Sequence, residues 1–240
     1  MDAERQVQKL AAWIKDKVLM AGCRGVVLGL SGGLDSSVLA VLCHRALPQD
    51  TLGVIMPCQS IEQDKAHALA VASKFSIPTT EVNLDSVIDA MLRELPAHKL
   101  GNTPGLLALA NLKARLRMVT LYYIANQLNY MVAGSSNRSE ITVGYFTKYG
   151  DGGVDIMPLG NLVKGEVREL ARHLGIPREI IDKLPSASLW EGQTDEGEMG
   201  FSYEALDRYI LTEEAPQDLK NRIEAMKAAS EHKRTLPPVA

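Results

Sequence analysis

Gly25-Val26-Val27-Leu28-Gly29-Leu30-Ser31-Gly32-Gly33-Leu34-Asp35-Ser36 is the stretch that decides the fold of this 240-residue chain. Its first six residues form a short apolar run of the length a buried strand needs. Ser31-Gly32-Gly33 closes the run, and residues 36–47 then read as a helix that Pro48 stops. Two adjacent glycines and two hydroxyls therefore fall between a strand and a helix. Glycine lets the backbone approach an anion closely, and a helix start offers unpaired N–H groups at the positive end of its dipole, so the segment reads as a phosphate cradle. The competing reading is an ordinary strand-to-helix turn with Asp35 or Ser36 as its N-cap. Two commoner phosphate loops do not fit: G-x-x-x-x-G-K-[ST] requires a lysine the segment lacks, and glycines at 29, 32 and 33 do not match G-x-G-x-x-G.

The same alternation continues on both sides of this stretch. Upstream, Val7, Leu10, Ala11, Ile14 and Val18 line one face of an opening helix that ends near Gly22. Downstream, the pattern predicts strands at 52–56, 79–84 and 130–133 and helices at 61–75, 86–95 and 106–128. Strands alternating with helices predict an α/β fold, a parallel sheet with helices on both faces, over a single domain spanning 1–240. Such sheets place ligands at the carboxyl ends of their strands, so the loop at 31–36 and the loop at 134–140 belong on one rim. Beyond 140 the chain turns to glycine-rich loops broken by helices at 163–174 and 203–211.

Hydrophobic residues make up 46% and charged residues 23% of the chain, the balance of a globular protein with a core. A net charge of -3 without a basic stripe argues against a nucleic-acid partner. Cys23, Cys43 and Cys58 are odd in number and lack C-x-x-C spacing, so reduced thiols in the cytoplasm are expected rather than a disulfide framework or zinc knuckle. Met1-Asp2-Ala3-Glu4-Arg5 does not start a signal peptide, and no apolar run reaches the ~18 residues of a membrane span.

The cradle segment, Gly29 to Ser36 with Ser31-Gly32-Gly33-Leu34-Asp35-Ser36 at its centre, resembles the S-G-G-x-D-S signature of the N-type ATP pyrophosphatases, which adenylate a substrate and release pyrophosphate. Further runs narrow the resemblance: Asn111-Leu112-Lys113-Ala114-Arg115, Gly134-Ser135-Ser136-Asn137-Arg138-Ser139-Glu140, and Tyr145-Phe146-Thr147-Lys148-Tyr149-Gly150-Asp151-Gly152-Gly153-Val154-Asp155. Pro185-Ser186-Ala187-Ser188-Leu189-Trp190 and Glu231-His232-Lys233-Arg234 continue it. Over nearly its whole length the chain is similar to the ammonia-dependent NAD synthetases. That resemblance implies an adenine-nucleotide α-hydrolase-like, Rossmann-like three-layer sandwich that amidates deamido-NAD with ammonia through an adenylate, consuming ATP. It implies that Asp35 and Glu140 ligate Mg²⁺, and that Gly29, Leu30, Ser31, Gly32, Gly33, Leu34, Asp35, Ser36, Ser135, Lys164 and Ser186 contact ATP. Arg115, Lys148, Asp155, His232 and Lys233 would hold deamido-NAD, with Asp35, Lys164 and Lys148 as the catalytic groups. A homodimer with substrate across its interface is implied as well.

Each of these residues also has an ordinary reading. Arg115 shares a helix face with Asn111 that would equally suit the outside. Lys148 fits an exposed hairpin, Lys164 a charged helix start, and His232-Lys233 a frayed tail. The acidic run Glu191-Gly192-Gln193-Thr194-Asp195-Glu196-Gly197-Glu198 reads equally as a lid or as a solvated loop. Many members of the resembled family carry Thr-Asp-His-Ala-Ala-Glu where this chain has Ser-Ser-Asn-Arg-Ser-Glu at 135–140, so the hydroxyl and the last carboxylate are kept and the Asp-His pair is lost. No cysteine sits in a nucleophile motif and no length is left for a glutaminase, which predicts free ammonia or ammonia passed from a separate subunit. Two rival functions remain: another adenylating enzyme of the class, and a non-catalytic adenine-nucleotide sensor.

Overall fold

In the computed structural model, residues 2–96, 105–186 and 192–239 are described. Four strands, β1 (Gly25–Gly29), β2 (Thr51–Ile55), β3 (Thr79–Glu81) and β4 (Tyr130–Val132), pair in the order β3-β2-β1-β4. All three pairings are parallel, with Val26 opposite Thr51 and Val27 opposite Val132. The third strand is shorter than its apolar run. Past Glu81 the backbone follows β2 only loosely, through Val82 N–H to the Ile55 carbonyl (2.9 Å) and Leu84 N–H to that of Pro57 (2.7 Å).

Alternation along β1 distributes its side chains between two cores, because successive Cβ atoms point to opposite faces. Val26 and Leu28 join a cluster with Ile14 and Val18 of α1 (Ala3–Met20), Val38 and Leu42 of α2 (Leu34–Ala46) and Leu170 of α7 (Lys164–Leu174). Val27 joins Val54, Ile88 of α4 (Asp85–Glu94), and Leu121 and Ala125 of α5 (Leu106–Leu128) on the other face. α3 (Glu62–Phe75) packs with the first group through Ala68 and Val71. Helices thus cover both faces, as the strand-helix alternation predicts. Each fully buried aliphatic side chain contributes about 1.5–3 kcal/mol by leaving water.

A third cluster carries the later chain. Val143 of α6 (Arg138–Val143), Met199 of α9 (Asp195–Met199), Tyr203 and Leu206 of α10 (Tyr203–Thr212), and Ile223 of α11 (Gln217–Ala229) pack together. A short α8 (Arg178–Ile181) precedes the loop holding Ser186. Asn129, left-handed at φ 56°, ends α5 and turns the chain into β4, a conformation asparagine tolerates better than most residues.

Candidate active site

The loops leaving β1 and β4 meet on the carboxyl rim. α2 begins at Leu34, two residues earlier than the sequence pattern indicates, so Asp35 and Ser36 lie in its first turn and neither is the cap. Gly33 is the N-cap and makes no side-chain cap bond. The hydroxyls brace the loop internally: Ser36 Oγ lies 2.9 Å from Ser31 Oγ and donates to the Gly33 carbonyl at 3.1 Å. Gly32 sits at φ +79°, where a Cβ would come within 2.1 Å of the Asp64 carbonyl oxygen, so only glycine lets α3 close against the loop.

Lys164, the first residue of α7, reaches into the space between the two loops. Its Nζ lies 2.6 Å from Asp35 Oδ2 and 3.2 Å from Glu140 Oε1, with the three side chains 5%, 14% and 15% exposed. The ammonium also stands 4.8 Å from the centre of the Tyr203 ring, whose hydroxyl donates to Asp195 at 3.0 Å. Burial raises Glu140 to about 7, a rise that Asp35's charge reinforces and the Lys164 charge only partly opposes. Burial alone would lower the Lys164 ammonium, but Asp35 and Glu140 together hold it above the ordinary lysine value. The Tyr203 and Tyr145 hydroxyls are raised by burial and by the carboxylates they face, which keeps both protonated donors.

The backbone carrying these groups is fixed by capping. Asn137 caps α6 by accepting from Glu140 N–H (3.0 Å), and Glu140 Oε2 accepts in return from Asn137 N–H (3.3 Å). This reciprocal pair leaves the helix start without orphan donors at those positions. Ser139 Oγ accepts from Lys164 N–H at 3.1 Å and donates to buried Asp207 at 2.5 Å, while Asp207 accepts from Gly165 N–H at 2.7 Å. A carboxylate at the positive end of α7 is favourable in itself, and here it sets the helix whose first side chain is Lys164.

Two adjoining cavities open here. The smaller, about 160 Å³, is lined by Ser31, Gly33, Leu34, Asp35, Ser36 and Ser135, and by Glu140, Lys164 and Ser186. The larger, about 610 Å³, shares Ser31 and Ser135 and runs past Gly29, Leu30 and Met56 to Phe146, Val154 and Lys233. Of the residues expected to meet ATP, the structure thus gathers all but Gly32 around the cavities, and Gly32 packs just behind them.

The expected dinucleotide contacts divide. Lys233 lines the larger cavity, donating to the carbonyls of Gly144 (2.7 Å) and Phe146 (2.8 Å). Arg115, Lys148 and His232 line neither cavity. They form a chain of their own outside, Arg115 donating to the Lys148 carbonyl at 3.3 Å and Lys148 Nζ to the His232 carbonyl. Asp155 stands apart from them, accepting from Tyr122 Oη (2.9 Å) and Val132 N–H (2.8 Å). The tail is not frayed: Glu231–Lys233 is a 3-10 turn, and Arg234 donates to the Ile141 carbonyl at 3.0 Å.

The acidic run resolves toward the site. Tyr145 Oη donates to Asp195 (3.1 Å) and to Glu198, and Gln193 Nε2 donates to Glu198 at 2.9 Å, so residues 193–198 close one wall of the cavities. Glu191 of that run and Ala187, Ser188, Leu189 and Trp190 of the preceding motif lie outside the described residues. Asn137 and Ser139 fall within the run from Gly134 to Glu140 and Asp195 within the acidic run, but those runs assign none of them a role of its own; Asp207, Tyr203 and Arg117 have no motif at all, and Arg117 ties α5 to the end of β2 through the Met56 carbonyl (3.1 Å) and Ser60 Oγ (3.0 Å). Only Asn137 carries a local signal, the N-x-x-E spacing of a capping box.

The NAD synthase family model matches residues 6–237. An NH3-dependent NAD+ synthetase from Carboxydothermus hydrogenoformans is 49% identical over 98% of this chain and 97% of its own. The solved structure of an NMN synthetase from Francisella tularensis superposes with a TM-score of 0.93 at 36% identity, covering 100% of this chain and 99% of that one. An NH3-dependent NAD synthetase from Campylobacter jejuni gives 0.84 at 29% identity with 100% of both chains covered. On the length of these matches, the chain belongs to the NAD synthase family.

Proposed function

We propose that the two cavities divide one reaction, the smaller taking the phosphates of ATP and the larger the rest of the nucleotide and the acid to be activated. The reaction is the ATP-dependent amidation of deamido-NAD to NAD with ammonia, as in the family's NH3-dependent relatives. A carboxylate oxygen of the nicotinate attacks the α-phosphorus of ATP and pyrophosphate leaves. Ammonia then attacks the acyl carbon, a proton is lost from nitrogen, and AMP departs with the carboxylate oxygen.

One observation carries the site assignment: Lys164 Nζ lies 2.6 Å from Asp35 Oδ2 at the mouth of a glycine loop whose helix has no side-chain cap. First-turn amides of α2 supply donors for a leaving pyrophosphate, and the Lys164 ammonium supplies positive charge beside it. No side chain need act as a nucleophile, so the protein's contribution is orientation and charge stabilisation. Asp35 and Glu140 are two hard oxygen donors that meet at the Lys164 ammonium, and with substrate phosphates drawing that ammonium away they would suit Mg²⁺. Bound there, Mg²⁺ would neutralise charge developing on the phosphates.

We read residues 1–240 as one domain, and we assign the enzyme to the cytoplasm as a homodimer. Its three cysteines are free, and no helix among the described residues is long and apolar enough to cross a membrane. Supporting the dimer, Val119 and Tyr123 on α5 and Val87 and Met91 on α4 are exposed apolar residues. Arg115 and Asp155 lie on or near the α5 side of the molecule, so a partner there would bring them toward shared substrate.

The test mixes purified protein with Mg-ATP, deamido-NAD and either ammonium or glutamine and follows NAD, AMP and pyrophosphate. NAD and AMP formed from ammonium alone are expected. Pyrophosphate release without NAD would overturn the acceptor. The 36% identity to the NMN synthetase supports a second reading, nicotinate mononucleotide as acceptor, which the same assay run with that mononucleotide in place of deamido-NAD separates by the ratio of the two kcat/KM values.

A further inference from the structure

Asn137 is wholly buried, and its carboxamide is used at both ends. Oδ1 accepts from Glu140 N–H at 3.0 Å, and Nδ2 donates to Asp35 Oδ1 at 2.9 Å. Its backbone N–H adds a third contact, 3.3 Å to Glu140 Oε2. One neutral residue therefore touches an oxygen of each carboxylate, leaving Asp35 Oδ2 and Glu140 Oε1 both directed at the Lys164 ammonium (2.6 and 3.2 Å).

Helix capping does not account for this residue type. Serine and aspartate cap a helix about as well as asparagine. Aspartate, however, has no proton to give Asp35 and would add a negative charge, and the serine hydroxyl sits one atom nearer its own backbone. A carboxamide accepts at one end and donates at the other in a fixed plane. The donated hydrogen bond leaves the Asp35 charge intact while locking the carboxylate's rotation.

We propose that Asn137 is a positioning residue for a divalent-cation site formed by Asp35 and Glu140, holding the Asp35 carboxylate so that Oδ2 and Glu140 Oε1 converge on the place the Lys164 ammonium fills here, which a bound cation would take over. This rests on the reading of Asp35 and Glu140 as the cation's ligands. Partners one step removed from a metal typically change its affinity about 10- to 100-fold.

The experiment uses the full chain saturated with α,β-methylene-ATP and measures Mn²⁺ affinity from the free-ion EPR signal in wild type, Asn137→Ser and Asp35→Ala. Asn137→Ser keeps a capping oxygen, so its Tm is expected within about 3 °C of wild type. Its Mn²⁺ affinity is expected to fall at least about tenfold. In turnover, the Mg²⁺ concentration for half-maximal rate should rise by a similar factor while kcat at saturating Mg²⁺ stays within about threefold. Mn²⁺ affinity within twofold of wild type in Asn137→Ser, with loss in Asp35→Ala, overturns the positioning role alone. Unchanged affinity in Asp35→Ala overturns the ligand reading and the proposal together. If Asn137→Ser does not fold, wild-type protein labelled with ¹⁵N-asparagine decides: an Asn137 carboxamide proton protected from exchange supports the bond to Asp35, and one exchanging like an exposed asparagine overturns it.

Discussion

Replacing Lys164 by methionine keeps most of the side chain's length and volume and removes only its charge. In the wild type that ammonium is 2.6 Å from Asp35 and 3.2 Å from Glu140, and the carboxylates are only 14% and 15% exposed. Removing one partner of a buried ionic group leaves the others uncompensated, at a cost of about 3–5 kcal/mol. For a chain of this size, where 1 kcal/mol moves Tm by about 2–4 °C, that is a loss of roughly 10 °C. The cost has a specific relief. Glu140 already stands at about 7, and without the Lys164 charge its proton is held more tightly still. Each further unit of rise returns about 1.4 kcal/mol once the pH falls below it.

Lys164→Met is therefore expected to lose most stability at pH 8.5 and less at pH 5.5, where a proton on Glu140 takes over from the ammonium. Magnesium should raise the variant's Tm at pH 8.5 more than it raises the wild type's, because the variant lacks a counter-charge. Turnover should fall by about 10² to 10³, the effect of losing one charge-stabilising donor. Scanning calorimetry at the two pH values, with and without Mg²⁺, reads the first three effects. A penalty below about 1 kcal/mol, equal at both pH values and indifferent to Mg²⁺, would refute the view that Lys164 balances the two carboxylates.

In the metal-free wild type, Glu140 is raised from 4.5 to about 7, so the folded chain binds more protons than the unfolded chain between those values and stability falls as pH rises from 4.5 through 7. That contribution is about 3 kcal/mol, and Glu140→Gln should flatten the corresponding part of a Tm-against-pH curve. Asp207→Ala strands the Ser139 hydroxyl and the Gly165 N–H, both bonded to it at 2.7 Å or less, and should cost about 1–3 kcal/mol in urea unfolding and reduce kcat through Lys164. Gly32→Ala meets both a φ of +79° and the Asp64 carbonyl oxygen 2.1 Å away, so the loop must shift; ATP affinity by calorimetry should drop at least about tenfold. Tyr123→Glu, at a position 66% exposed on α5, should turn the proposed dimer into a monomer in sedimentation without lowering the Tm of the monomeric fold, and a wild type that sediments as a monomer would refute the dimer itself.

The strand-helix alternation and the glycine loop between β1 and α2 were legible because both are written in short stretches. Six apolar residues from Gly25 to Leu30 have to be buried on both faces, and Gly32-Gly33 has few uses besides close backbone approach. The run from Gly134 to Glu140 was legible for the same reason, coming directly after β4. Element ends were less so. Capping decided them, and α2 starts at Leu34 because Gly33 adopts the cap conformation without a side-chain bond. Least legible were contacts made by docking of distant segments. Lys164 and Asp35 are 129 residues apart, Ser139 and Asp207 are 68 apart, and nothing local in Tyr203 announces a place beside Glu140. Arg115, Lys148, Asp155 and His232 follow the family pattern in the sequence, yet within one chain they stay outside both cavities.

The six-residue helix α6 explains why the tail belongs to the site. Its first turn holds Glu140 and is capped by Asn137, its interior Ser139 bonds to the backbone of Lys164, and its last carbonyls are capped by Arg234 from the C-terminal turn. Six residues are too few to be helical on their own, since a helix shorter than about 12 residues is marginal in water. The geometry of Glu140 must therefore come from what holds the two ends. Gly144, at φ +70°, closes α6 so tightly that a Cβ would meet Ser230 at 2.1 Å, and Lys233 bonds the Gly144 carbonyl from the same turn. A change in the tail would thus reach the carboxylate pair through α6 without touching any substrate, loosening Glu140 before it loosens the sheet.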